Sequence, residues 1–293
     1  MDYTTQINNL QHRIYWIIDG KLDGWTSGFS KLDDSVGRIL PGQLWAIGGY
    51  NGTGKSYFIL NMIEGMLTEW EKLKNDKDYQ PPKVAVFSTE LSTEDYILRH
   101  VLMRMQIYMS HVQNYRMTVG QEVIDELTRY NEERILNPDS LKIYGNISSF
   151  SQIEKEVKRI KDTVNIIFVD YVQELSVNDK YDEKETMPIL ARKFKTLAME
   201  NNLAIVLVSQ LNIYAMGKDY HVTSAQVPAF SNGKQLNSTA SVSLILNRVK
   251  EEGILQKELN VHIMKARSGV LGVLPFEILD GYNLKYINKN QNG

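Results

Sequence analysis

The chain has 293 residues, enough for one sizeable core or one core with a small appendage, and its 43% hydrophobic and 23% charged residues exclude disorder and fibrous architectures. A net charge of −2 argues against a basic coat for indiscriminate nucleic-acid binding, although a ring of subunits could still share a locally basic channel. With no cysteine, disulfide scaffolds, thiolate zinc clusters and cysteine nucleophiles are excluded.

Residues 5–19 place Ile7, Leu10, Ile14 and Ile17 at helical spacing, so an amphipathic helix is expected, followed by the polar stretch from Lys21 to Gly28. That stripe could pack on its own domain or dock on a neighbouring subunit. No apolar run approaches the roughly 18 residues of a membrane-spanning helix, and the N-terminus lacks a signal pattern, so a soluble, cytoplasmic protein with no membrane partner is expected.

From Gly42 onward short apolar β-rich runs alternate with helical patterns, the mark of an α/β domain with a largely parallel sheet. Strands are predicted over Leu44 to Gly49, Lys83 to Thr89, Leu141 to Tyr144, Asn165 to Tyr171 and Leu203 to Gln210. Ser92 with Asp95, and Ser151 with Glu154, are predicted helix N-caps. The charged segment Glu69 to Asp78 reads as a solvated helix end and loop. Beyond Val242 come Val242 to Arg248, Glu258 to Arg267, Val270 to Leu279 and Leu284 to Asn288, expected to extend the sheet as antiparallel strands. Turns are expected at Glu252-Gly253, Ser268-Gly269 and Asp280-Gly281.

Gly49-Tyr50-Asn51-Gly52-Thr53-Gly54-Lys55-Ser56 matches G-x-x-x-x-G-K-[ST] between a predicted strand and a predicted helix, the setting a phosphate-binding P-loop needs. Its glycines let successive N–H groups turn toward phosphates at the positive end of the following helix. Lys55 is then expected to reach the β and γ phosphates of ATP, and Ser56 to bind Mg2+. The apolar run Asn165 to Val169 ends in Asp170, a candidate second metal group; an ordinary strand stopping at a polar turn residue is the plainer alternative. Glu90, after Val84 to Thr89, should lie at the same sheet edge and is the candidate for polarising water, against the reading of a surface glutamate opening a helix.

Behind that P-loop stand, in order, Phe87-Ser88-Thr89-Glu90-Leu91-Ser92, Phe168-Val169-Asp170-Tyr171-Val172-Gln173, Val208-Ser209-Gln210-Leu211-Asn212 and Lys265-Ala266-Arg267. With the leading segment Gly24 to Asp33, they resemble the C-terminal motor domain of DnaB-type replicative helicases over roughly residues 24–280. The resemblance implies a RecA-like P-loop NTPase core, α/β, with a mostly parallel sheet extended by C-terminal antiparallel strands. It implies residues 1–23 as a linker helix on the adjacent protomer and 24–293 as the motor, without the family's helical N-terminal collar. Glu90 stands at the catalytic glutamate, Gln210 at the glutamine that senses the γ-phosphate, and Lys265 and Arg267 at the pair that reaches the neighbour's nucleotide. Two apart on a predicted strand, that pair should share a face; two solvated side chains are the alternative. The implied partners are single-stranded DNA, further copies of the chain in a hexameric ring, and a loader or primase.

One departure concerns DNA. Where the family shows an arginine-bearing loop, the chain reads Ser231-Asn232-Gly233-Lys234-Gln235. Asn232, Gly233 and Lys234 remain candidate phosphate contacts, as does the stretch Asn178 to Lys184. Three functions therefore stand side by side: an ATP-driven helicase or translocase, which a compact phage, plasmid or other mobile-element protein would fit, a RecA-fold recombination mediator, and a non-motor regulatory ATPase. The Phe-Ser-Thr-Glu, Asp-Tyr-Val-Gln and Lys-x-Arg elements favour the first.

Overall fold

Runs such as Leu-Trp-Ala-Ile-Gly-Gly and Ile-Ile-Phe-Val-Asp lack polar alternation, so they can settle only between two layers of helix. The computed structural model describes residues 2–18, 24–114, 118–177, 183–211, 234–251 and 254–288. Its parallel strands are β1 (Leu44–Gly49), β2 (Val84–Ser88), β3 (Leu141–Tyr144), β4 (Ile166–Asp170), β5 (Ala204–Gln210) and β6 (Val242–Glu251). Antiparallel β7 (Ile254–Ala266), β8 (Gly272–Ile278) and β9 (Leu284–Tyr286) complete one sheet in the order β3-β2-β4-β5-β1-β6-β7-β8-β9. Every residue of β1, β2 and β4 is buried, and every residue of β5 except Gln210.

Successive residues of those strands feed two cores. Trp45, Ile47, Val86 and Phe168 face α2 (Ser30–Val36), α3 (Lys55–Leu73), α4 (Thr93–Arg104) and α6 (Thr118–Leu136). Leu44, Ala46, Phe87 and Val169 face α7 (Phe150–Ile160), α8 (Glu183–Glu200) and α9 (Lys234–Thr239). Phe168 on one side and Phe87 on the other are fully buried, each contributing about 2 kcal/mol by transfer from water.

Several expectations change. β6 pairs parallel with β1 and antiparallel with β7, so the antiparallel extension begins one strand later than expected. α7 is capped by Ser149, not Ser151. Ser149 Oγ accepts from Gln152 N (3.3 Å) while Gln152 Oε1 accepts from the Ser149 amide (3.1 Å), a closed capping box. That start puts Phe150, Ile153, Val157 and Ile160 on the buried face and leaves Ser151 and Glu154 inside the helix. Ser92 does cap α4, accepting from Asp95 N at 3.0 Å. Glu69 is only partly exposed, since Arg38 grips its carboxylate with two guanidinium nitrogens and Tyr79 donates to it at 3.1 Å, while most of 71–78 is exposed as expected.

At the N-terminus, α1 spans Tyr3–Ile18. Ile7, Leu10 and Ile14 of the expected stripe stand 37%, 52% and 48% exposed, so within one chain they have no covering surface among the described residues. The turn at Glu252-Gly253 lies outside the described residues, and no helix among the described residues is long and apolar enough to cross a membrane.

Candidate active site

The loop between β1 and α3 winds around one of its own carbonyls. The Tyr50 oxygen accepts from Thr53 N (3.2 Å), Thr53 Oγ1 (2.8 Å) and Lys55 Nζ (2.9 Å). Such curling demands glycine at its ends. A Cβ on Gly49 would lie 2.6 Å from Thr53 Oγ1, and Gly54, at φ 91°, occupies the left-handed region. Gly54 offers no side chain to the first turn of the 19-residue α3, so the amides there stay free of a side-chain cap and the positive end of the helix opens into the loop. Asn51 and Gly52, at the outer bend, are exposed.

Strand order brings three further groups to this edge. Asp170 ends β4 opposite Ser88 of β2, is 4% exposed, and accepts from the Ser56 hydroxyl. Burial raises its pKa, while Ser56 and then Lys55 pull it back toward the charged form. Burial likewise lowers the Lys55 pKa, opposed by the negative charges of Asp170 and Glu90. Lys55, Ser56, Asp170 and Glu90 thus form one electrostatic cluster. β2 stops at Ser88, so Glu90 lies in the turn beyond the strand rather than at its end, where it is exposed. The Thr89 amide donates to Asp170 O (2.9 Å) and ties that turn to β4. Gln210 ends β5 in register with Gly49, and the Leu211 amide donates to Gly49 O at 3.2 Å.

The last pair lies elsewhere. Ala266 pairs with Val242, which pairs with Trp45, so Arg267 sits at the opening end of β1, the edge opposite the loop. Arg267 is exposed in the turn one residue past the end of β7, and its amide donates to Ser241 O (3.1 Å), continuing the β6–β7 register by one residue. Lys265 Nζ donates to Asn237 O (2.8 Å) and Ser238 O (2.7 Å), the last carbonyls of α9. Lys195 of α8 reaches the same neighbourhood, donating to Gly42 O at 2.8 Å. Burial first, then repulsion from Arg267, lowers the pKa of both lysines. Among the described residues, no carboxylate forms an ion pair with any of these three cations.

Asn232 and Gly233 lie outside the described residues, as do 178–182; Lys234 opens α9. Three groups drew no role from sequence. Arg99 of α4 acts on Asp170 and Tyr57, Lys195 joins the cations of the far edge, and Gln173 donates to Ser209 Oγ and Gln210 O. Helix-borne charges resemble solvated faces, and only Gln173 stood within a recognised motif.

A family model for the DnaB-like helicase C terminal domain matches residues 24–284. The replicative DNA helicase DnaB of Mycoplasma pneumoniae is 24% identical over 275 residues, covering 87% of this chain and 54% of that protein. The DnaB of Helicobacter pylori strain J99 is 28% identical over 197 residues, covering 66% and 37%. The chain therefore spans about half, or less, of the length of these relatives. Among solved structures, one described as an ATPase domain superposes with a TM-score of 0.78 at 21% identity, over 96% of this chain and 98% of that one. A DnaB-like replicative helicase, described with its interactions with primase, gives 0.77 at 19% identity, over 98% and 67%. Both share the fold.

Proposed function

The chain belongs to the DnaB-like helicase C-terminal domain family, and from that premise we propose that it is the ATP-hydrolysing motor of a replicative DNA helicase. Lys55 and the amides of Gly49 to Ser56 hold the β and γ phosphates, Glu90 polarises the attacking water, and Gln210 senses the γ-phosphate. Lys265 and Arg267 complete the site of the adjacent subunit. The segment 1–23, through its helix Tyr3–Ile18, is the linker that docks on a neighbour, and 24–293 form the motor. The assembly is a hexameric ring in the cytoplasm that moves on single-stranded DNA, with Asn232, Gly233 and Lys234 as candidate contacts and a loader or primase as a further partner.

The residues present suit magnesium. Ser56 and Asp170, already joined by a hydrogen bond, offer a hydroxyl and a carboxylate, the hard oxygen ligands this ion takes beside phosphate and water. When bound, the ion neutralises charge shared between the β and γ phosphates. Asp170, buried and fastened through its backbone to Thr89, holds its carboxylate facing Ser56.

What carries this reading is the separation of two half-sites. Phosphate-binding and water-polarising groups gather at one edge of the sheet, while three cations without carboxylate partners among the described residues gather at the other. A head-to-tail neighbour joins such edges, and repetition of that contact gives a ring where the rotation between subunits closes and a helical filament where it does not. The recombination-mediator and regulatory alternatives are not favoured, since the family and the relatives reported above are replicative helicases. The test measures ATP hydrolysis with and without single-stranded DNA, alongside mass by light scattering. Stimulation by DNA in an oligomer is expected; turnover indifferent to DNA would return the protein to the regulatory class.

A further inference from the structure

The turn after β4 holds a side chain that this chemistry leaves unused. Gln173 lies in the 3-10 turn Val172–Glu174, three residues past Asp170. Its Nε2 donates across to β5, to Ser209 Oγ at 2.7 Å and to the Gln210 carbonyl at 2.9 Å. A carbonyl only accepts, so the nitrogen end must face β5. The Oε1 end is buried and, among the described residues, receives no donor. A buried acceptor without a donor opposes folding, and an apolar side chain of similar size would avoid that cost.

What an apolar side chain could not do is fasten the end of β5. The β4–β5 ladder runs only from Ile166 with Ala204 to Val169 with Leu207, so Val208, Ser209 and Gln210 extend past it. On their other side, β1 pairs with all three through Gly49. On the β4 side, the Gln173 amide takes the place of the missing ladder. We infer that Gln173 is the positioning residue that sets Gln210 relative to Asp170, through contact with the strand rather than with nucleotide. The inference rests on the reading of Gln210 as the γ-phosphate sensor.

Gln173→Leu removes the two donations together with the unpartnered oxygen at nearly constant volume. The melting temperature should stay within about 3 °C of wild type. KM for ATP should remain within about twofold, while kcat with single-stranded DNA falls about 10- to 100-fold, because a misplaced sensor harms the transition state rather than binding. Since Gln173 acts through Gln210, adding Gln173→Leu to Gln210→Ala should change kcat less than about twofold. Wild-type kcat in Gln173→Leu, or losses that multiply in the double variant, would overturn the inference. If Gln210→Ala itself turns over normally, the sensor reading falls, and the inference with it. Should the leucine variant melt well below wild type, Gln173→Met must show the same split between kcat and KM, and wild-type kcat there overturns the inference equally.

Discussion

Replacing Arg267 by alanine should abolish most ATP hydrolysis while leaving ATP binding intact, and the defect should be curable by a second defective subunit. Register sets the geometry. Ala266 lies level with Val242 and Trp45, and the phosphate loop begins at Gly49, four positions further along β1. At roughly 3.3 Å per residue that is about 13 Å along the strand, further than an arginine side chain extends. Arg267 therefore cannot serve the nucleotide of its own chain. An arginine supplied from a neighbour contributes about 10³ to 10⁵ in rate, or about 4–7 kcal/mol of barrier. The assay mixes Arg267→Ala with Lys55→Ala, which retains the arginine but has lost the cation of the phosphate loop. With random exchange in equal amounts, about a quarter of the head-to-tail interfaces join an intact loop to an intact arginine. Each variant alone should be nearly inactive and the mixture active, once subunit exchange is demonstrated by labelled chains. Wild-type turnover by Arg267→Ala alone, under oligomer-forming conditions, would refute the reasoning.

Glu90→Gln should bind ATP with unchanged affinity yet turn over about 10²- to 10⁴-fold more slowly, since an amide cannot polarise water; nucleotide titration beside single-turnover kinetics checks this, and undiminished turnover would make Glu90 a surface residue. Deleting residues 1–20 should lower the mass seen by light scattering while circular dichroism stays native, because Ile7, Leu10 and Ile14 are exposed within one chain; loss of folding along with mass would mean the helix packs on its own domain. Burial would raise the Glu64 pKa, but the His100 hydrogen bond and the Arg104 charge outweigh it and hold the carboxyl below the usual glutamate range. A depressed folded pKa contributes stability that is present above the unfolded value and lost as pH falls through the folded one. Wild-type melting temperature should therefore drop more steeply in acid than that of Glu64→Gln, and parallel curves would remove Glu64 from the acid response.

The central parallel strands were legible because they are apolar runs that end in polar residues or glycine: Gly49, Ser88 and Asp170 close three of them, and Ser209 with Gln210 closes the fourth. Burial explains the run, and the sheet edge explains the stop. The direction of β6 was not legible, since Val242 to Leu246 suits a parallel or an antiparallel neighbour equally, and β1 accepts it because the chain returns through α9 to the opening end of the sheet. The cap of α7 was misplaced for a related reason. Ser149 with Gln152 and Ser151 with Glu154 offer overlapping signals, and only the first brings Phe150 into the core with Phe194, their rings 5.0 Å apart.

The same physics limits what could be read of the site. Lys55, Ser56 and Asp170 announce themselves because each interrupts a local pattern. Lys195 and Arg99 interrupt nothing, for a cation on an amphipathic helix is the ordinary case. Gln173 depends on a partner 37 residues away and on a ladder that stops short, neither of which has a local signature. The groups proposed to touch nucleotide stand out here because Asp170 ends an apolar strand and Lys55 and Ser56 follow a glycine-rich turn. Groups that only position others act from within ordinary structure, and their roles emerge once the unpaired ends of the strands are counted.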